Sequence, residues 1–159
     1  TVPDIKSSLC WSHVRRYFIE SIPLDTKGKE IPGSKGAEGR EYVNLLFKVE
    51  DEIKDLPYEE KKQKRQDASR PILDAFWLWV EKTSAMYTTN ERLTQALGYC
   101  QNQRKYLETY LEDGRLPVSN NYCEANIEYS CAMKSHFRKF GNQMSGSGNH
   151  LCNYASLLA

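Results

Sequence analysis

The stretch YLEDGRLPVSNNYCE, Tyr110 to Glu124, reads as the end of one helix, a polar turn and the start of another helix. Asp113-Gly114 is a helix stop signal, Pro117 stiffens the link, and Ser119 or Asn120 suits the cap of the next helix. Glu124 then falls early on that helix. A plain surface turn needs one or two such residues, whereas this one concentrates them ahead of a single carboxylate. Two readings follow: Glu124 is held in place for chemistry, or it is a first-turn acid that complements the helix dipole.

The chain around this stretch has 159 residues, the size of one domain and too few for two well-buried ones. Its 22 Lys and Arg against 21 Asp and Glu leave a net charge of +1, so no overall field names a polyanionic partner. The charge is uneven, however. Residues 38–60 carry eight acids (Glu38, Glu41, Glu50, Asp51, Glu52, Asp55, Glu59, Glu60) and three bases (Arg40, Lys48, Lys54). Residues 129–159 carry Lys134, Arg138 and Lys139 and no acid, so an anionic partner is expected to meet the C-terminal part. Five cysteines at irregular spacing, without a secretory leader, argue against a disulfide framework and for the cytoplasm. No apolar run approaches the roughly 18 to 20 residues that span a bilayer, so no membrane partner is expected.

Helical periodicity dominates. Residues 5–11 suit a short strand, after which SHVRRYFIESI has helical spacing with Ser12 as its start signal. Pro23 to Ala37, with two prolines and three glycines, is a loop. Tyr42, Leu45, Leu46, Val49, Ile53 and Leu56 mark one face of a helix that Pro57 stops. From Tyr58 to about Met86 the pattern stays helical, with Pro71 expected to break or kink it and Leu73, Phe76, Trp77 and Val80 sharing a face. Trp77 and Trp79, two apart, cannot both face the core squarely. Asn90 starts a further helix with Leu93, Leu97, Cys100, Leu107 and Leu111 on one side.

CWSHVRRYF at 10–18, RPILDAFWLWVE at 70–81 and YLEDGRLPVSNNYCE at 110–124, in this order, together resemble the insertion-sequence-sixty-six family of DDE transposases. The resemblance covers most of the chain from Cys10 to Glu124. It implies the C-terminal part of an RNase H-like (α/β) catalytic domain with its helical insertion, so that the described chain is mainly α with one short strand near residues 6–11. Residues 1–22 would then be the end of a core strand plus a helix, 23–37 a loop, 38–112 the helical insertion, and 113–159 the glutamate-bearing turn and C-terminal helices. By position, Glu124 matches the glutamate of the family's metal-binding triad, whose two aspartates would lie upstream of Thr1. The implied cofactor of the full-length protein is Mg²⁺ or Mn²⁺, and the implied partners are transposon-end and target DNA, with a homo-oligomer as a further expectation. One carboxylate of three cannot hold two metal ions, so the piece alone is expected to be inert.

The elementary chemistry agrees with the resemblance. Mg²⁺ prefers hard carboxylate, water and phosphate oxygens, and two such ions about 4 Å apart stabilise both the attacking and leaving oxygens of an in-line displacement. The sequence departs from the family's pattern just after Glu124, where Ala125 stands in place of arginine and Glu128-Tyr129 in place of Arg-Pro. Exchanging a positive for a negative side chain there works against holding a polyanion, so an inactive remnant and a non-catalytic helical binding module stay open as alternatives.

The remaining candidates concern DNA. His13, Arg15 and Arg16 sit at the start of a helix, where three-residue spacing puts His13 and Arg16 on one face and turns Arg15 away. They could meet a phosphate, as could Arg115, Asn120, Asn121, Lys134 and Arg138; a solvated basic face is the plain alternative. The KKQKR run at 61–65 reads first as a solvated helical face. Cys10 with His13, and Cys123, Cys131 with His136, lack the paired spacing of a zinc site. Gly33-Ser34-Lys35-Gly36 lacks that of a phosphate loop.

Overall fold

A computed structural model describes residues 8–86 and 88–119 of the chain. Five α-helices account for most of them: α1 (Trp11–Glu20), α2 (Lys35–Ile53), α3 (Tyr58–Lys64), α4 (Arg70–Ser84) and α5 (Glu91–Glu108). A π-turn, Arg65–Ser69, joins α3 to α4, and a 3₁₀ turn, Thr109–Leu111, closes α5. No strand occurs among the described residues, and no helix among them is long and apolar enough to cross a membrane.

α1 packs on α2 and α5, and α4 packs on the same two helices from the other side. The shared core follows from the apolar stripes: Val14 and Phe18 of α1, Val43 and Leu46 of α2, Leu73, Phe76, Trp77 and Val80 of α4, and Leu93, Leu97, Cys100 and Leu107 of α5. Trp11, fully buried, sits between the layers with its ring 5.6 Å from Phe76 and 6.2 Å from Trp77. Trp77 and Trp79 divide as their spacing requires. Trp77 is in the core, while Trp79 lies at its edge, where its indole N–H donates to Glu38 Oε2 at 2.8 Å. That bond, after the Lys35 ammonium, holds the Glu38 carboxyl below its ordinary pKa.

Several boundaries differ from the sequence expectations, each for a local reason. The extended backbone before α1 makes no ladder among the described residues: Ser8, Leu9 and Cys10 are not a strand, and Trp11 already belongs to α1. Leu9 N–H instead donates to the Tyr106 carbonyl of α5 at 3.1 Å. Residues 5–7 of that expected strand lie outside the described residues. Ser12 does not cap α1; the helix begins one residue earlier, with Cys10 at the cap position and no side-chain cap bond. α2 starts at Lys35, inside the stretch read as loop, because the Ser34 hydroxyl accepts from Ala37 N–H and caps it. Leu45, assigned to the buried face of this helix, is exposed, and Val43 occupies the core instead. The residues before Ser34 form a tight reversal in which Asp25 Oδ1 accepts from the amides of Lys27 and Lys29, with Gly28 at φ +74° where a side chain would be strained.

The interruption expected near Pro71 is the π-turn just before it, which separates α3 from α4, and Pro71 itself does not end the helical run. It stands in the first turn of α4, where a missing N–H costs little, and the ladder has already been re-registered by the π-turn, whose Arg70 N–H reaches back five residues to the Arg65 carbonyl. Of the residues in that wide turn, Arg65 and Ser69 face inward. α5 starts where Asn90 places it: the side-chain oxygen accepts from Leu93 N–H at 3.1 Å.

Candidate functional site

The structure brings the first sequence motif against the last. Trp11 N–H donates to the Val118 carbonyl at 3.0 Å, and the hydroxyls of Ser12 and Ser119 lie 2.8 Å apart. The Cys10 thiol donates to Ser119 Oγ at 3.8 Å. One turn deeper, the Trp11 indole N–H donates to the Leu107 carbonyl at 2.9 Å, fixing the end of α5 to the start of α1. The turn that leads toward Glu124 is therefore delivered to the N-terminus of α1.

The other half of the turn is held by Arg65. This guanidinium, 2% exposed, grips Glu50 with both arms, Nε to Oε1 at 2.8 Å and Nη2 to Oε2 at 2.7 Å. Its remaining donors go to main-chain carbonyls: Nη1 to Tyr110 at 2.7 Å and Asp113 at 2.9 Å, and Nη2 to Leu116 at 2.9 Å. The Tyr110 ring lies 5.1 Å from the guanidinium carbon, a cation–π contact that completes the cage. Burial pushes the Tyr110 hydroxyl pKa up.

The KKQKR run is thus not a uniform solvated face. Lys62 and Lys64 are exposed, but its last member is among the largest fully buried side chains of the molecule. Sequence reading missed Arg65 because a basic run looks solvated. One signal was available: the apolar stripe Leu73, Phe76, Trp77, Val80, extended backward by fours, passes through Ser69 and reaches Arg65.

Within the turn, Asp113 makes a local scaffold. Its Oδ1 accepts from Arg115 N–H at 2.9 Å, its carbonyl accepts from Leu116 N–H at 3.1 Å, and its carboxylate binds the Arg115 guanidinium, at 2.6 Å in the shortest contact. That guanidinium, with the Arg115 amide, lowers the Asp113 pKa to about 2. Gly114 is needed for a different reason from the helix-stopping one assigned to it. The glycines with positive φ among the described residues are Gly28 and Gly33; at Gly114 a Cβ would instead be driven into the backbone carbonyl of Tyr58.

The predicted DNA-contacting residues separate. Arg16 Nη2 lies 3.5 Å from His13 Nδ1 on the exposed side of α1. Arg15 turns to α2 and donates to Asn44 Oδ1 at 2.8 Å, lining a shallow groove with Ser12, Phe47, Lys48 and Asp51. Arg115 is exposed but engaged with Asp113. Glu124, Asn120, Asn121, Lys134 and Arg138 lie outside the described residues, as do Cys123, Cys131 and His136. No group of three or more His, Cys, Asp or Glu able to hold a metal ion occurs among the described residues. Cys100 is buried in the core, which raises its thiol pKa well above the ordinary value.

Residues 1–147 match the family model described as Transposase IS66 family. Three proteins of Sinorhizobium fredii (strain NBRC 101917 / NGR234) are similar to the chain. The one named Uncharacterized protein y4hP is 29% identical over 126 residues, covering 76% of this chain and 23% of that protein. Uncharacterized protein y4qI is 26% identical over 152 residues, covering 94% of the chain and 26% of its own length. Uncharacterized protein y4jD is 22% identical over 145 residues, covering 89% and 27%. The chain therefore spans about a quarter of these curated relatives. No solved structure matches it.

Proposed function

The chain belongs to the IS66 transposase family, and from that premise we propose that it is the C-terminal part of an RNase H-like catalytic domain that cuts and joins DNA. In this reading Glu124 supplies one carboxylate of the metal-binding triad, residues 38–112 are the helical insertion, and the full-length protein works on transposon-end and target DNA in the cytoplasm. Mg²⁺ or Mn²⁺, when bound by Glu124 and two upstream aspartates, would supply the positive charge that steadies the reacting phosphate oxygens.

The observation that carries this reading is the meeting of two distant motifs. Ser119, five residues before Glu124, sits on Ser12 at the start of α1, and Trp11 holds the Val118 carbonyl. A turn clamped at both ends suits a carboxylate that must be aimed, whereas a dipole-complementing acid on a surface helix needs no such fixing. His13 with Arg16, beside the same helix start, would contact the DNA backbone, with Lys134 and Arg138 adding charge from the acid-free C-terminal stretch. Arg115, Asn120 and Asn121 would border the opening. Arg115, already paired with Asp113, would contribute less to phosphate attraction than its exposure suggests.

The test is Mg²⁺- or Mn²⁺-dependent cleavage of transposon-end DNA by the full-length protein, with Glu124→Gln beside the parent. Gln keeps the size and removes the charge that a hard cation requires, so the variant should lose cleavage while still binding DNA. Equal cutting by both would refute the assignment. The second reading, an inactive remnant that binds DNA without cutting it, is favoured by Ala125 and Glu128. It predicts that the parent fails to cut and that Ala125→Arg with Glu128→Arg restores cleavage.

A further inference from the structure

We infer that Arg65 is a positioning residue for the Glu124-bearing segment, the part through which the α2–α4 helices set the path of the turn. The inference rests on the assignment of Glu124 proposed above. A guanidinium has five N–H donors, and here all five are committed: two to Glu50 on α2 and three to the carbonyls of Tyr110, Asp113 and Leu116. Those carbonyls belong to the 3₁₀ turn that closes α5 and the turn after it, beyond the last N–H of the α-helix; that of Asp113 also accepts from Leu116 N–H.

Stability alone is a poor reason for this arrangement, because a well-packed apolar side chain in place of a buried ion pair is often as stabilising. What the planar fork supplies is direction: two acceptors on one side fix its plane, and the other side then fixes three carbonyls in space. Glu50 holds the fork, Arg65 holds the turn, and the turn passes to the Trp11 and Ser12 contacts before it reaches Glu124. Arg65 opens the π-turn and is its first inward-facing residue, directly after α3, none of whose residues is buried.

The experiment uses the full-length transposase with Arg65→Lys, Glu50→Gln, Glu124→Gln and, as a matched destabilised control, Leu73→Ala. Four quantities are read: melting temperature, amide hydrogen exchange over residues 113–119, duplex affinity without metal, and cleavage rate at saturating DNA. Lys keeps the charge but has three donors and no fork, so exchange of the Leu116 amide should rise about tenfold or more in Arg65→Lys. Cleavage should fall about 10- to 100-fold, beyond the loss in Leu73→Ala, as expected for a displaced reacting group. DNA affinity should stay within about twofold, since no phosphate-facing group is altered.

Glu50→Gln, which keeps one acceptor and the size, should give the same pattern in milder form and decides the matter if Arg65→Lys does not fold. Turn amides that stay protected, or cleavage equal to that of the Leu73→Ala control, overturn the role of Arg65. Cleavage by Glu124→Gln at the parent's rate overturns the reading of Glu124 instead. If the parent never cuts, exchange alone decides: an opened turn keeps the positioning role and a protected one ends it.

Discussion

The segment 110–119 is held at its two ends by different chemistry. At 110–116 a buried, charged fork from the π-turn binds three carbonyls; at 118–119 a backbone amide and a hydroxyl from α1 make neutral contacts. The first clamp centres on a buried guanidinium and joins three parts of the chain, the π-turn, α2 and residues 110–116, so losing one member strands the others. The second is partly buried, and each bond can be lost singly, with water available to replace the serine contact. The charged clamp should therefore dominate the stability of the turn, while the neutral one adjusts where its end comes to rest.

The largest expected effect is on the charged side. Arg65→Met leaves Glu50 and three carbonyls without their donors in the interior, and urea unfolding should show a loss of about 3 to 5 kcal/mol. A loss near zero would make the two clamps equivalent. Gly114→Ala comes next: its Cβ collides with the Tyr58 carbonyl at the start of α3, which backbone movement must relieve, at about 2 to 3 kcal/mol by the same measurement.

On the neutral side, Ser12→Ala and Ser119→Ala should each cost about 1 kcal/mol or less. A double-mutant cycle should return a coupling of about 0.5 kcal/mol or more if their hydroxyls are bonded to each other, and zero if each is bonded elsewhere. The smallest effect is that of Asp113. Its folded pKa of about 2 lies below the ordinary carboxylate value near 3.9, so its contribution is present above about pH 4 and fades as pH falls toward 2. The carboxylate is about one-third exposed, so screening keeps this below about 1 kcal/mol. Unfolding at pH 5 and pH 3 should narrow the gap between the parent and Asp113→Asn; a gap independent of pH would contradict it.

What could be read in the sequence was what repeats. The stripes of α4 and α5, the Asn90 cap and the split between Trp77 and Trp79 follow from 3.6-residue periodicity and local capping, both of which depend on neighbours in sequence. Ser12 was misassigned because a serine at a helix start can be a cap or can reach elsewhere; its partner, Ser119, is 107 residues away. Arg65 escaped for the same reason, since its burial depends on Glu50 and on carbonyls 45 to 51 residues distant. The need for glycine at 114 was visible, but its cause was not: the obstruction is another segment's backbone, which no local pattern contains. The family's motif pointed to Glu124 as the candidate carboxylate, a residue that lies outside the described ones.

The π-turn at Arg65–Ser69 can be restated in the language of insertions. A ring closed over five residues in place of four absorbs one surplus residue without rotating the helices on either side. Deleting Ala68, which is exposed, should therefore leave Phe76 and Trp77 in register with the core while drawing Arg65 along the helix axis by up to about 1.5 Å, one residue's rise, away from its partners. Near-ultraviolet circular dichroism of the aromatic cluster should survive such a deletion, and protection of the 113–119 amides should not. A single residue of chain length thereby becomes a dial between two otherwise similar proteins, one with its last turn fixed and one with it loose.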